Sequence, residues 1–119
     1  MDKLKLCESE YRFMAIVWDN EPLKSSKLVT ICEEKLNWKK STTYTTLKKL
    51  CLRGIASNEN TIVTSLVPKD KVQNFECNRF MERVFYGSIP ELIKAYYATN
   101  ELSEEDAQEI KNTVDSLLK

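Results

Sequence analysis

Apolar residues recur at intervals of three and four positions in three successive segments of the N-terminal half, which predicts three amphipathic helices. The first covers about residues 8–19, and its broad apolar coverage indicates a central core helix. The second covers about residues 25–36 with Ser25 as its N-cap, and the third follows a turn at Asn37 and Trp38. Two short helices joined by a tight turn after a core helix are typical of a helix-turn-helix.

The pattern changes from helical to alternating after Gly54, a residue that suits the position just beyond a helix end. β-forming residues lie at Ile55 and along 62–67, on either side of a turn-prone segment at 58–61, and they predict a small hairpin. The predicted fold is therefore mainly α (α+β), with an N-terminal winged helix-turn-helix that carries a β-hairpin wing. A C-terminal helical dimerisation region follows it.

Pro68 marks the predicted boundary between a winged-helix domain, residues 1–68, and a helical domain, residues 69–119. Three amphipathic helices are predicted in the second domain, and Ser103 with Asp106 three residues later is an N-cap pattern for the last one. These helices have too little core to be stable alone, so we expect them to pair with a second copy; an intrachain core is the alternative. The predicted dimerisation residues are Val72, Phe75, Phe80, Val84, Phe85, Leu92, Ile93, Tyr96, Ile110, Val114 and Leu117.

Charge is distributed unevenly although the 18 basic and 18 acidic residues of the 119-residue chain cancel. Residues 22–54 contain eight lysines and arginines against two glutamates, whereas residues 99–119 contain six acids against two lysines. A basic region and an acidic tail are expected when one part of a protein docks on phosphates and another faces away from them.

The third predicted helix combines this charge with hydroxyl groups in the segment WKKSTTYTTLKKLCLRG, residues 38–54. On a helical wheel, Thr43, Leu47, Leu50 and Cys51 fall on one side, which can pack on the core, and the polar residues face a polyanion. The predicted DNA-binding residues are Lys27, Lys39, Lys40, Ser41, Thr42, Thr45, Thr46, Lys48, Lys49 and Arg53.

Within this set, Lys39 and Lys40 are predicted to hold phosphates at the first turn of the helix. Ser41, Thr42 and Thr45 are predicted to face the major groove, and Lys27, Lys48 and Arg53 to make flanking phosphate contacts. Two alternatives stay open at this point. The charges can be an ordinary solvated helix face, or the winged helix can bind protein without direct DNA readout.

Catalysis is disfavoured because the chain has no histidine and only two glycines, so the commonest general base and a phosphate-binding loop are missing. Four widely separated cysteines without a C-x-x-C pair do not form a usual zinc site, and we expect reduced thiols that fill core gaps. No cofactor or metal is expected. Neither a membrane span nor a secretion signal is recognisable, which predicts a cytoplasmic protein without a membrane partner.

Several segments, in order, resemble one family of bacterial transcriptional regulators. They are ESEYRFMAIVW near the start, residues 28–38, the T-x-x-T-x-L-x-K-L-x-x-R-G pattern of residues 42–54, and FYGSIPELIKAYYATNELSEED. Together they resemble the penicillinase-repressor (BlaI/MecI/CopY) family over nearly the whole chain. The resemblance implies a homodimeric repressor whose winged helices bind an inverted-repeat operator in double-stranded DNA and whose C-terminal helices dimerise.

Position by position, the resemblance implies that Trp38 precedes the recognition helix, that Thr42 and Thr45 lie on its face, and that Lys49 stands where the family usually has arginine. Cys7 occupies the position of a serine or threonine cap, with Glu10 three residues later, so a weaker cap is expected. The wing is shorter than in relatives and carries few charges, so little phosphate contact is expected from it.

The resemblance also bears on induction. Relatives that control β-lactamase genes are cut by a membrane sensor-protease at an Asn-Phe bond, and the matching pair here is Ala95-Tyr96. A sensor-protease is therefore a candidate inducing partner. Copper-responsive relatives carry a C-terminal cysteine cluster, whereas this chain ends in DSLLK and lacks those ligands.

Overall fold

The structure is a computed structural model that describes residues 4–118. In chain order, the elements are α1 (Glu8–Asn20), β1 (Leu23–Lys24), α2 (Ser25–Leu36), α3 (Lys40–Leu52), β2 (Ala56–Glu59), β3 (Ile62–Ser65), α4 (Lys69–Phe85), α5 (Ile89–Tyr97) and α6 (Glu104–Leu117). Three helices followed by a hairpin confirm the predicted winged helix-turn-helix. The chain divides into two compact units, residues 1–77 and 78–119.

The core of the N-terminal unit surrounds α1, as its broad apolar coverage predicted. Phe13, Met14 and Val17 of this helix are completely buried. Two tryptophans close the edges of the core: the ring of Trp38 stacks on Phe13 at a centroid distance of 6.0 Å, and Trp18 Nε1 donates to the carbonyl of Val67 at 3.0 Å. Trp38 is thus a packing residue at the turn between α2 and α3.

The turn between α2 and α3 is made by Asn37, whose φ of 58° lies in the left-handed region that asparagine tolerates better than most residues. At the other end of α2, the predicted N-cap is wrong by one residue, because Lys24 holds the N-cap position. Ser25 is the first helical residue, and its N–H donates to the carbonyl of Thr61 at 2.8 Å. The start of α2 is therefore bonded to the tip of the hairpin rather than capped by a hydroxyl.

The wing is an antiparallel hairpin in a three-stranded sheet of order β1-β3-β2. Its turn consists of Asn60 and Thr61 with φ of 53° and 64°, because β2 continues through the two preceding residues that the sequence assigned to the turn. Positive φ at both positions is the feature of type I′ turns, whose twist matches that of the flanking strands. Val63 is buried while Ile62 on the other face is exposed, which confirms the predicted strand with one face on the core.

Helix α4 begins directly after Pro68, whose carbonyl accepts from the N–H groups of Lys71 and Val72. Val72 is 0% exposed and belongs to the N-terminal core. The prediction that Val72 belongs to the dimerisation surface is therefore wrong, because a side chain buried in its own subunit is not available to a second copy. The first turns of α4 belong with the N-terminal unit, although the sequence placed the domain boundary at Pro68.

The C-terminal unit contains the end of α4 together with α5 and α6. The left-handed residues Tyr86 and Gly87 end α4, and Ser88 caps α5 by accepting from the N–H of Glu91. The predicted cap of α6 is confirmed, since the Ser103 hydroxyl accepts from the N–H of Asp106 at 3.0 Å. Neither α5 nor α6 contains a buried residue, and among residues 78–118 Met81 is the only buried apolar side chain.

Candidate nucleic-acid interface

Helix α3 separates apolar packing from polar exposure. Thr43, Leu47 and Leu50 are buried against the core, as the helical wheel predicted. Of the predicted DNA-binding residues, the exposed ones are Lys27, Lys39, Lys40, Ser41, Thr42, Thr45, Lys48 and Lys49, while Thr46 and Arg53 are half-buried. The helix therefore presents a solvent-facing surface that carries ammonium and hydroxyl groups.

The first turn of α3 has the chemistry of an anion site. Lys39 holds the N-cap position, Lys40 and Ser41 follow it, and the turn contains no acidic residue. The first N–H groups of a helix lack intrahelical acceptors and carry a partial positive charge, which favours phosphate oxygens. The two ammonium groups add to this field at the same end of the helix.

The flanks of α3 differ in charge. Lys27 lies in the first turn of α2 and, together with Lys24, Ser26 and Thr30, lines an open groove. The wing contributes no cation, because residues 55–67 contain neither lysine nor arginine and include Glu59. In the segment from α2 to β3, the cations therefore lie on or beside α2 and α3, and the wing presents amides and hydroxyls.

A buried carboxylate, which the sequence predicts only as part of the Cys7 cap, lies behind α3. Glu10 of α1 is 5% exposed, and its Oε1 accepts from the N–H of Cys7 at 3.0 Å. The same carboxylate binds two cations of α3, with Lys49 Nζ at 3.1 Å from Oε2 and Arg53 Nη1 at 3.2 Å from Oε1. Arg53 Nη2 also donates to the carbonyl of Lys5. Two predicted DNA-binding residues are thus already engaged within the chain.

The pKa of Glu10 reports the balance of these contacts. Burial by itself raises the pKa of this carboxyl, but the hydrogen bond from Cys7 N–H and the charge and hydrogen bond of Lys49 outweigh it. The net pKa of Glu10 lies below its ordinary value. The carboxylate is therefore ionised at neutral pH and holds its two cations by charge-assisted bonds.

Sequence patterns pointed to Glu10 only as the third residue of the Cys7 cap. Its cationic partners lie 39 and 43 positions further along the chain, so no short-range spacing joins them to it. An acid within an otherwise apolar helix face was the signal that could have drawn attention to it.

The four cysteines are free thiols in two different environments. Cys32 is buried and Cys51 is half-buried, and burial raises the pKa of both thiols, with a hydrogen bond to Thr43 partly opposing this at Cys32. Cys7 and Cys77 are exposed, which corrects the expectation that all four fill core gaps. Among residues 4–118, no three histidine, cysteine or acidic side chains lie close enough together to hold a metal ion.

The predicted dimerisation residues lie at different depths. Apart from the buried Val72, they are exposed (Phe80, Val84, Tyr96, Val114 and Leu117) or half-buried (Phe75, Phe85, Leu92, Ile93 and Ile110). The C-terminal unit thus has apolar side chains at its surface and almost none in an interior. In the part of the chain that is described, no helix is long and apolar enough to cross a membrane.

Comparisons with known proteins agree with this architecture. The protein is 20% identical over 112 residues to the methicillin resistance regulatory protein MecI of Staphylococcus aureus (strain Mu50), with 91% of each chain covered. Its fold is similar to that of Staphylococcus aureus MarR in complex with salicylate and kanamycin, with a TM-score of 0.54 at 15% identity, over 94% of this chain and 71% of that chain. The profile of the family described as Penicillinase repressor matches residues 6–116. This protein belongs to the penicillinase repressor family of DNA-binding transcriptional regulators.

Proposed function

We propose that the protein is a homodimeric repressor that binds an inverted-repeat operator in double-stranded DNA, with α3 of each subunit in the major groove of one half-site. The observation that carries this proposal is the division of α3 into a buried apolar side and an exposed side of lysines and hydroxyls. A helix of this kind matches the width of the major groove and the charge of its phosphate walls.

The exposed residues divide into two roles. Lys39 and Lys40 neutralise phosphates at the first turn of α3, and Lys27 and Lys48 add flanking contacts. Thr42 and Thr45 face base edges, where a hydroxyl bonds to several base edges and a threonine methyl packs against the methyl of thymine. Ser41 lies beside them, and Thr46 is half-buried at the margin of this surface.

The dimer is inferred from the C-terminal unit. Its helices expose apolar side chains and bury almost none, and a second copy is the partner that the family suggests. A two-fold dimer presents two recognition helices about 34 Å apart, one turn of B-DNA, which requires an operator of matching symmetry.

The test is selection of bound fragments from a random duplex library by the purified protein, followed by sedimentation of the free protein. We expect an inverted repeat with half-sites about one duplex turn apart and a dimer at micromolar concentration. Affinity should fall steeply with added salt, because each neutralised phosphate releases counterions. Recovery of no preferred sequence, together with salt-insensitive capture of a protein partner, would instead support a winged helix that binds protein.

Two substitutions test the division of roles. Lys40→Gln should weaken binding to all duplexes alike, whereas Thr45→Val should alter which bases are preferred at its contact position. Glu59→Gln on the wing is a control in which little change is expected. If Lys40→Gln and Thr45→Val weakened all sequences equally, the assignment of base contacts to α3 would fail.

The sensor-protease partner stays a prediction. Ala95 and Tyr96 are both exposed but lie inside α5, whereas proteolytic cuts concentrate in exposed loops. A cut at this bond therefore requires α5 to open locally. Incubation with the cognate protease followed by mass spectrometry of the fragments would test it, and a cut only outside α5 would exclude this site.

A further inference from the structure

The contacts of Glu10 distinguish two kinds of lysine on α3. Lys48 and Lys49 are neighbours in the sequence and both are exposed, but only Lys49 has a carboxylate partner among the described residues, at 3.1 Å. Arg53, one turn further along α3, binds the same carboxylate and is 30% exposed. The cationic charge of α3 is therefore partly neutralised from within the molecule, at the end of the helix away from Lys39 and Lys40.

We propose that Glu10 is a positioning residue that holds Lys49 and Arg53 against α1 and keeps both cations off the DNA phosphates. The phosphate-binding charge of α3 is then carried by Lys39, Lys40 and Lys48. This inference rests on the proposed DNA-binding function. It assigns to Glu10 a role in how strongly the protein discriminates its operator from DNA of other sequences.

The burial of Glu10 makes the exchange of partners unfavourable. An ionised carboxylate that is almost completely buried needs its partners, and removal of one leaves charge in a poorly solvated place. A phosphate on the DNA surface is well solvated. A contact with it would therefore stabilise Lys49 by less than the buried carboxylate of Glu10 would lose if Lys49 left it. Arg53 is held more firmly still, because Glu10 Oε1 and the Lys5 carbonyl both accept from its guanidinium. We therefore place both cations on Glu10 in the DNA complex as well as in the free protein.

Restraint of these cations limits sequence-independent affinity. Every lysine that is free to reach a phosphate strengthens binding to all duplexes alike and adds no discrimination. With Lys49 and Arg53 held by Glu10, α3 binds nonspecific DNA more weakly than its formal charge implies, and the contacts of Thr42 and Thr45 account for a larger share of the affinity. Glu10 thus raises the ratio of specific to nonspecific binding.

The test compares two neighbouring lysines in the otherwise intact, full-length protein. Binding to a mixed-sequence duplex and to the selected operator is measured over a range of salt concentrations by fluorescence anisotropy. Lys48→Gln should reduce the slope of log affinity against log salt by about 0.9 for each bound subunit, the value for one lost phosphate contact. Lys49→Gln, which removes the same charge one residue away, should leave the slope unchanged.

Glu10 itself is then neutralised. Glu10→Gln keeps an acceptor for the N–H of Cys7 but frees Lys49, so the salt slope should rise by about 0.9 per subunit and binding to the mixed-sequence duplex should strengthen. Addition of Lys49→Gln to this variant should return the slope to that of the unchanged protein. Glu8→Gln is the matched control, because Glu8 is an exposed acid of the same helical turn, paired with Arg12 at 4.0 Å, and it should leave the slope unchanged.

The outcomes separate the two proposals. If Lys49→Gln lowers the slope as much as Lys48→Gln does, Lys49 binds phosphate and the role of Glu10 is refuted while DNA binding stands. If the unchanged protein binds neither duplex in a salt-dependent way, the proposed function itself fails, and this inference fails with it. Circular dichroism of each variant checks that the fold is retained. If Glu10→Gln does not fold, the comparison of Lys48→Gln with Lys49→Gln still tests the role of Glu10.

Discussion

The two units of this chain are similar in apolar content but differ in where that content lies. In the N-terminal unit, α1, α2, α3, the wing and the start of α4 enclose a common core, whereas among residues 78–118 only Met81 is a buried apolar residue. Apolar residues that cover most of a helix, as in α1, specify an interior within one chain. Single apolar stripes on short helices, as in α6, specify a surface that needs a partner.

The largest expected effect comes from separating the units. A chain of residues 1–77 should stay folded, because it retains the whole N-terminal core including Val72, but its operator affinity should fall by about 10²–10⁴-fold through loss of the linked second half-site. Anisotropy titrations with the selected operator measure the affinity, and circular dichroism measures the fold.

Residues 1–68 form the matched truncation. This shorter chain lacks Val72, whose burial is worth about 1.5–3 kcal/mol, so it should unfold at a lower temperature than residues 1–77. Equal melting temperatures would mean that the start of α4 does not belong to the N-terminal core. Operator affinity in the 1–77 chain equal to that of the full chain would contradict the dimer.

A pair of leucine substitutions contrasts a buried position of the N-terminal unit with an exposed position of the C-terminal unit. Leu28→Ala, at a completely buried position in α2, should lower the free energy of unfolding by about 2–5 kcal/mol because it leaves a cavity. Leu117→Ala, at a position 73% exposed in the single chain, should leave the unfolding of the N-terminal unit unchanged and weaken the dimer. Chemical denaturation and equilibrium sedimentation measure the two effects, and a Leu117→Ala variant that remains fully dimeric at submicromolar concentration would exclude this residue from the interface.

Acidification should weaken the N-terminal unit through Glu10. Since its folded-state pKa lies below its ordinary value, the stabilisation is complete above the unfolded pKa and is lost as the pH falls through the folded pKa. At neutral pH, Glu10→Gln should lower the free energy of unfolding by roughly 1.5–3 kcal/mol, the range for hydrogen bonds to charged groups, and the difference should vanish in acid.

The exposed acid Glu8 again provides the comparison for this prediction. Glu8→Gln should change the free energy of unfolding by less than about 1 kcal/mol, because a surface ion pair contributes little. Denaturant titrations between neutral and acidic pH measure both variants. A Glu10→Gln effect that stays constant down to strongly acidic pH would show that the ionised carboxylate is not the source of the stability.

The smallest expected effect is a gain at the tip of the wing. Thr61 is a β-branched residue held at φ of 64°, a conformation that costs such residues free energy and that glycine adopts readily. Thr61→Gly creates the Asn-Gly sequence favoured in type I′ turns and should raise the free energy of unfolding by about 0.5–1 kcal/mol. Thermal unfolding measures this gain in stability. A lower melting temperature for Thr61→Gly would contradict the claim that the backbone of Thr61 is strained.

Local patterns predicted most of the fold. The bounds of α2, the cap at Ser103 and the hairpin after Gly54 all follow from interactions between residues a few positions apart. The prediction failed at Val72, since Pro68 is compatible with the start of a helix whose first turns pack on the preceding core. It also failed at the wing turn, because strand pairing, which local propensity does not reveal, extends β2 to Glu59.

The candidate site was predictable only on its exposed side. The helical periodicity of α3 placed Thr43 and Leu50 inside and Thr42 and Lys48 outside, and the structure has them there. Which of the cations are engaged within the chain depends on Glu10, more than thirty positions away, and a helical wheel of α3 contains no information about it. Tertiary contacts, not periodicity, therefore determine which cations of α3 are paired within the chain.

Glu21, at the far end of α1 from Glu10, binds the wing in a comparable way. Its Oε1 accepts from the N–H of Ser65 at 2.7 Å, and the Ser65 hydroxyl donates to the same carboxylate at 2.9 Å. A helix of 13 residues is about 20 Å long, so α1 joins α3 at one end and the base of β3 at the other across that span. A change in the tilt of α1 would therefore shift α3 and the base of the wing together and keep the spacing between them.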